Sequence, residues 1–300
     1  MLSDQRLWDL RELRARNPEA IAEAAAGRRR RPLLDGSGRL LIVAADHPAR
    51  GALGVRENPA AMADRDDLLR RLVTALADPA VDGVLGTADV LEDLLLLGAL
   101  EGKVVFGSMN RGGLHGAVFE LDDRFTGYDA LTIAAMGFDG GKMLCRIDLA
   151  DPGTVSTLES CGRAVTELAR LGRVAMLEPF ISRRVDGRVH NDLTPAAVVK
   201  SVAVAAGLGA TSSHTWLKLP VVDGLEEVMA ATTLPALLLG GDPVGSMEQT
   251  YAFWARALTL PGVRGLVVGR ALLYPPGGDV AAAVAGAAQL VRPALRKVSA

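Results

Sequence analysis

Eight short apolar runs alternate with helical patterns along most of this 300-residue chain, and few folds accept that order. The runs lie at 40–46, 83–87, 104–109, 140–147, 174–180, 214–220, 235–241 and 265–270. Helical patterns occupy 66–78, 89–100, 127–137, 155–171, 194–208, 223–231, 244–259 and 279–292. Parallel strands need a crossover of a dozen or more residues between them, and a helix is the usual one. Eight such units over roughly 250 residues predict an α/β chain folded as a (β/α)8 TIM barrel. An open doubly wound sheet is the competing arrangement, disfavoured because no Gly-rich nucleotide fingerprint follows the first run. Asp192-Leu-Thr-Pro195 offers an N-cap with Pro at the first helical position, and Asp151-Pro-Gly-Thr154 is similar. Residues 3–27 read as two short helices broken near Asn17-Pro18. The expected organisation is a helical extension over 1–38 and a barrel over 39–294, with Arg28–Arg31 a solvated helix end.

Composition narrows the function classes. A net charge of −2 is too balanced to suggest a nucleic-acid protein. No run reaches the roughly 18 apolar residues of a membrane span. The first eight residues contain no apolar leader, and Cys145 and Cys161 show neither disulfide nor metal spacing. The expectation is a cytoplasmic protein without metal or cofactor, with no nucleic-acid or membrane partner.

The basic residues are unevenly divided. Five of the 33 are lysines and the rest arginines, yet two of the five, Lys142 and Lys218, lie in apolar strand-like runs. Arginine stays protonated, whereas a buried lysine can lose its proton and act as an amine nucleophile. Side chains alternate along a strand, so period two sorts inward from outward. Leu217 and Leu219 suit the helix layer, which turns Lys218 inward. The same count places Lys142 and Arg146 on the fourth run inward, with Glu178 on the fifth and Asp46 on the first. Alternate strands feed one interior layer, so Lys142 and Lys218 can approach each other and lower each other's affinity for protons. The bland reading is that these charges simply pair, Lys142 with Glu178 and Arg146 with Asp148. Two lysines and two carboxylates facing inward favour catalysis over it.

A second signal follows the last two runs. Gly240-Gly241 and Gly269-Arg270 sit where this fold usually cradles phosphate, although Asp242 counts against it unless its side chain points away or caps the next helix. His47, beside Asp46, is either a site residue or a packed rim residue. Loops at 110–127, with a small hairpin expected around 117–121, and at 181–191 would flank the same end. His115 and His190 there are expected to be exposed.

These residues resemble the class I, Schiff-base aldolase superfamily of deoxyribose-phosphate aldolase and the lactose-type tagatose-bisphosphate aldolase, over roughly residues 38–290. Asp46-His47, Lys142, Leu177-Glu-Pro179, Leu217-Lys-Leu-Pro220, Gly240-Gly241 and Gly269-Arg270 carry the likeness. His47 stands where Gln is more usual, and Pro220 follows Lys218 early. Ala45-Asp-His-Pro-Ala-Arg-Gly51 and Phe119-Glu-Leu-Asp-Asp-Arg-Phe125 are also similar to an aldolase subgroup linked to myo-inositol catabolism. The resemblance implies a homo-oligomeric enzyme that cleaves a phosphorylated ketose or keto-sugar acid. The narrower likeness implies 6-phospho-5-dehydro-2-deoxygluconate, cleaved to dihydroxyacetone phosphate and malonate semialdehyde. In that reading Lys218 forms the imine, and Lys142, Glu178 and Asp46 assist as catalytic groups. Gly240, Gly241, Gly269, Arg270, His47 and Arg146 bind the phosphorylated sugar. A barrel lyase or isomerase without an imine, and a non-catalytic sugar-phosphate binder, fit the same residues.

Overall fold

The structure is a computed structural model and describes residues 2–110, 113–241 and 246–292. Two helices come first, α1 (Asp4–Arg16) and α2 (Ala20–Gly27). The barrel strands are β1 (Leu40–Ala44), β2 (Gly83–Gly86), β3 (Val104–Ser108), β4 (Gly140–Ile147), β5 (Val174–Val185), β7 (Thr215–Leu219), β8 (Ala236–Leu239) and β9 (Val263–Val268). A short β6 (Arg188–Asn191) pairs antiparallel with the far end of β5 and stands outside the barrel. The other eight strands pair in parallel, and β1–β9 and β4–β5 contacts close the ring. Between them run α3 (Arg65–Ala77), α4 (Ala88–Leu96), α5 (Ala130–Ala135), α6 (Gly153–Arg170), α7 (Pro195–Ala206), α8 (Leu225–Ala230) and α9 (Met247–Ala257), with α10 (Arg270–Leu273) and α11 (Val280–Val291) after β9. This is the (β/α)8 barrel that the alternation predicts. Among the described residues, no helix is long and apolar enough to cross a membrane.

Two apolar compartments follow from the alternation of side chains along each strand. Leu40, Ile42, Phe106, Met176, Trp216 and Val267 fill the barrel interior. Met143, Cys145, Leu217 and Leu219 face the helices in a larger outer core. Leu33 and Leu34, upstream of β1, pack against the interior set.

Three local expectations are corrected. Residues 117–121 form no hairpin: successive turns run through them, with Ala117 N donating to Leu114 O and Glu120 N to Ala117 O. The segment after residue 181 is a hairpin instead of a loop. Val185 pairs with Arg188 across Asp186 and Gly187, both with positive φ (49° and 76°). A two-residue turn of that handedness matches the twist of the strands it joins, and Asp-Gly is its usual sequence. Arg28 is no solvated helix end: it is 5% exposed and donates to the carbonyls of Leu100, Lys103 and Gly137. Its neighbour Arg31 pairs with buried Asp82. Asp242 lies outside the described residues.

Candidate active site

Four charged side chains converge inside the C-terminal half of the barrel. Asp46 lies just past β1, Lys142 is the third residue of β4, Glu178 the fifth of β5 and Lys218 the fourth of β7. Register brings them together. Lys142 pairs with Met176 and Leu144 with Glu178 across β4–β5, while β5–β7 pairing runs up to Leu177 and Leu217. Glu178 and Lys218 are the next inward residues beyond that last rung. All four side chains are buried.

The contacts are unequal. Lys142 Nζ lies 2.9 Å from Asp46 Oδ2 and 2.6 Å from Glu178 Oε2. Among the described residues, Lys218 Nζ has one carboxylate oxygen, Glu178 Oε1, at 3.1 Å. Burial pulls the Lys142 ammonium down, but Asp46 and Glu178 outweigh it and hold it above the ordinary lysine range. Burial also pulls Lys218 down, the Lys142 charge adds to the effect, and Lys218 ends below the ordinary range. One lysine therefore keeps its proton and the other is readied to release it. Burial alone would raise both carboxyls; the two ammoniums reverse this, holding Asp46 well below the usual range and Glu178 at about 2.

A pH dependence of stability follows. A carboxyl depressed in the folded state stabilises it above the unfolded pKa, and that stability is lost as pH falls through the folded pKa. For Glu178 the window runs from 4.5 down to about 2. Thermal melts are expected to fall across this range, and in Glu178→Gln the fall should flatten. An unchanged slope would show that Glu178 does not titrate as its contacts require.

Arg146 points inward two alternations above Lys142, and its partner is Glu120 from the 113–127 segment, not Asp148. Its Nη1 is 2.6 Å from Glu120 Oε1, its Nη2 reaches the Glu120 carbonyl, and Gly116 N donates to Oε2. No site role was expected for Glu120, although it lies within the Phe119–Phe125 segment that carries the narrower likeness. Asn110 is likewise missed. Its side chain accepts from Leu144 N at 2.8 Å and donates to Leu144 O at 2.7 Å.

The glycine loops lie at the mouth. Gly241, after β8, has φ 66°. Gly269 lies between β9 and α10, and Arg270 opens α10, with its Nη1 3.5 Å from Gly54 O. A Cβ on Gly269 would lie 2.8 Å from His47 Cε1, so glycine lets the His47 ring lie against this loop. Burial, then the Arg270, Arg50 and Lys218 charges, outweigh Asp46 and depress His47 to about 3, leaving it neutral at physiological pH. His115 and His190 are exposed on the flanking segments. Among the described residues, no cluster of three or more His, Cys, Asp or Glu is placed to hold a metal ion.

The Cgl0159-like family model matches residues 38–288. The crystal structure of Cgl0159 from Corynebacterium glutamicum is 56% identical, covers 98% of this chain and 99% of that one, and superposes with a TM-score of 0.95. A Schiff base-forming fructose-1,6-bisphosphate aldolase is 18% identical over 90% of this chain and 99% of its own, with a TM-score of 0.63. An archaeal fructose-1,6-bisphosphate aldolase, whose catalytic Lys is covalently bound to a carbinolamine intermediate, is 16% identical over 90% and 99%, with a TM-score of 0.62. These two share the fold with this chain. No curated protein matches it.

Proposed function

The chain belongs to the Cgl0159-like family, and we propose that it is a class I aldolase whose imine forms on Lys218. The observation that carries this is the unequal lysine pair. Two carboxylates hold Lys142 protonated, while Lys218, which shares Glu178 with it, is pushed towards the free amine. A buried amine beside a second cation is the usual way to activate a Schiff-base lysine. The carbinolamine on the catalytic lysine of the archaeal neighbour is consistent with it.

In this reading the Lys218 amine adds to the substrate ketone, and the carbinolamine loses water to give a protonated imine. The carbon–carbon bond breaks with its electron pair flowing into that imine, leaving an enamine on Lys218 and releasing an aldehyde. Reprotonation of the enamine carbon and hydrolysis return the ketone and the free amine. Glu178, 3.1 Å from Lys218 Nζ, moves protons during addition and dehydration. Asp46 is the second acid–base group, and Lys142 donates towards a substrate hydroxyl. Gly240, Gly241, Gly269 and Arg270 bind the phosphate, His47 lies against them, and Arg146 is the site's cation on the Glu120 side. The substrate is a phosphorylated ketose or keto-sugar acid. The Ala45–Gly51 and Phe119–Phe125 segments favour 6-phospho-5-dehydro-2-deoxygluconate within that class. The proposal extends to a cytoplasmic homo-oligomer with a helical extension over 1–38 and a barrel over 39–294.

The test is borohydride reduction in the presence of dihydroxyacetone phosphate, followed by peptide mass spectrometry. A reduced adduct on Lys218 is expected. An adduct on Lys142 would exchange the two roles. No adduct, with phosphosugar binding still measurable by calorimetry, would overturn the imine mechanism in favour of a binder or a non-imine enzyme.

A further inference from the structure

We infer that Asn110 is a positioning residue that holds Lys142 at its distance from Lys218 by standing in for the missing end of strand β3. The inference rests on the imine reading above. The β3–β4 ladder has its last paired residues at Ser108 and Lys142, and Met109 N still donates to Lys142 O at 2.9 Å. Beyond that point the chain leaves for the 113–127 segment, whereas β4 runs on to Ile147. The edge of β4 would be left without a neighbour there, although its other edge is paired to β5 up to Ile181. Buried backbone groups need partners, and those of Leu144 point to this edge. The Asn110 amide supplies both, accepting from Leu144 N and donating to Leu144 O as a strand residue would.

Asn110 is itself fixed. It is buried, and Ser108 Oγ donates to its carbonyl. The returning chain occupies the end of β3, with Gly127 N on Met109 O and Tyr128 N on Ser108 O. Leu144, the residue so clamped, is level with Glu178 on β5 and two residues from Lys142. Losing the clamp frees the upper half of β4 on one side, and the Lys142 ammonium can move away from Lys218. A like charge moved away raises the proton affinity of the group it was suppressing.

The experiment is the pH profile of cyanoborohydride trapping with dihydroxyacetone phosphate on wild type, Asn110→Ala and Asn110→Leu, the last filling the volume without hydrogen bonds. The pH midpoint for Lys218 adduct formation is expected to rise by about one unit in both variants. A midpoint is independent of how much protein is folded, so a purely structural role would lower the melting temperature and the yield of adduct without moving it. An unmoved midpoint overturns the inference. So does failure of both variants to fold, since Asn110 would then be holding the barrel and not the lysine. No Lys218 adduct in wild type would instead sink the imine reading itself.

Discussion

Lys218→Met is expected to remain folded and to lose about 10^4- to 10^6-fold in cleavage rate, the range seen when an enzyme loses its covalent nucleophile. The two halves of this expectation come from different contacts. Activity goes because the remaining inward amine, Lys142, is held protonated between Asp46 and Glu178. Stability stays because Glu178 keeps an ammonium at 2.6 Å after Lys218 is gone, so no buried charge is stranded. Replacing a desolvated cation by a flexible apolar chain of similar length should change stability by no more than about 1 kcal/mol. Steady-state rates with a phosphorylated ketose, run beside thermal melts, separate the two. Substantial turnover in this variant would point to barrel chemistry without an imine, and a collapsed melt would make Lys218 a structural residue.

Lys142→Met should behave in the opposite way. Here one substitution strands two carboxylates. Asp46 loses its ammonium, and Glu178 must rely on Lys218 alone. Removing one partner from a buried ion pair costs about 3–5 kcal/mol, which corresponds to a fall in melting temperature of roughly 10 °C in a chain of this size. The pH dependence should also reverse. In wild type, Lys142 holds both carboxyls depressed, so stability falls with acid. Without it, burial and mutual repulsion raise a carboxyl above its unfolded value, and stability should improve as pH falls from neutral through that raised pKa. Lys218, freed of its like-charged neighbour, should trap ketones at a higher pH, and cleavage should drop about 10^2- to 10^4-fold. Melts at several pH values and the trapping profile check each part. A variant as stable as wild type at pH 7 would show that the carboxylates find other partners.

The barrel is legible in this sequence because its strands are short, apolar and separated by helices with their own caps, so period and spacing point the same way. Within a strand, Leu217 and Leu219 settle which way Lys218 faces, and Met143 and Cys145 do the same for Lys142. Those patterns are local. The contacts missed by sequence reasoning join residues that no period relates. Glu120 meets Arg146 through a segment without regular structure, and Asn110 bonds to a backbone 34 residues away. Arg28 hides in a run of four arginines, where composition predicts solvent and three backbone carbonyls decide otherwise. The hairpin after β5 had a readable signal in Asp186-Gly187, obscured by the arginines around it.

The filled floor of the barrel has a kinetic consequence. The barrel interior below Lys218 is filled by side chains, with Leu33 and Leu34 packed against them, so the route to Lys218 runs through the upper mouth. An imine-forming enzyme shaped as a blind well works last in, first out. On the proposed imine mechanism, the aldehyde must depart past the mouth while the ketone fragment is still tethered below it, and in the synthetic direction the ketone must enter first. Product inhibition should therefore be competitive with the cleaved sugar for the ketone and noncompetitive for the aldehyde.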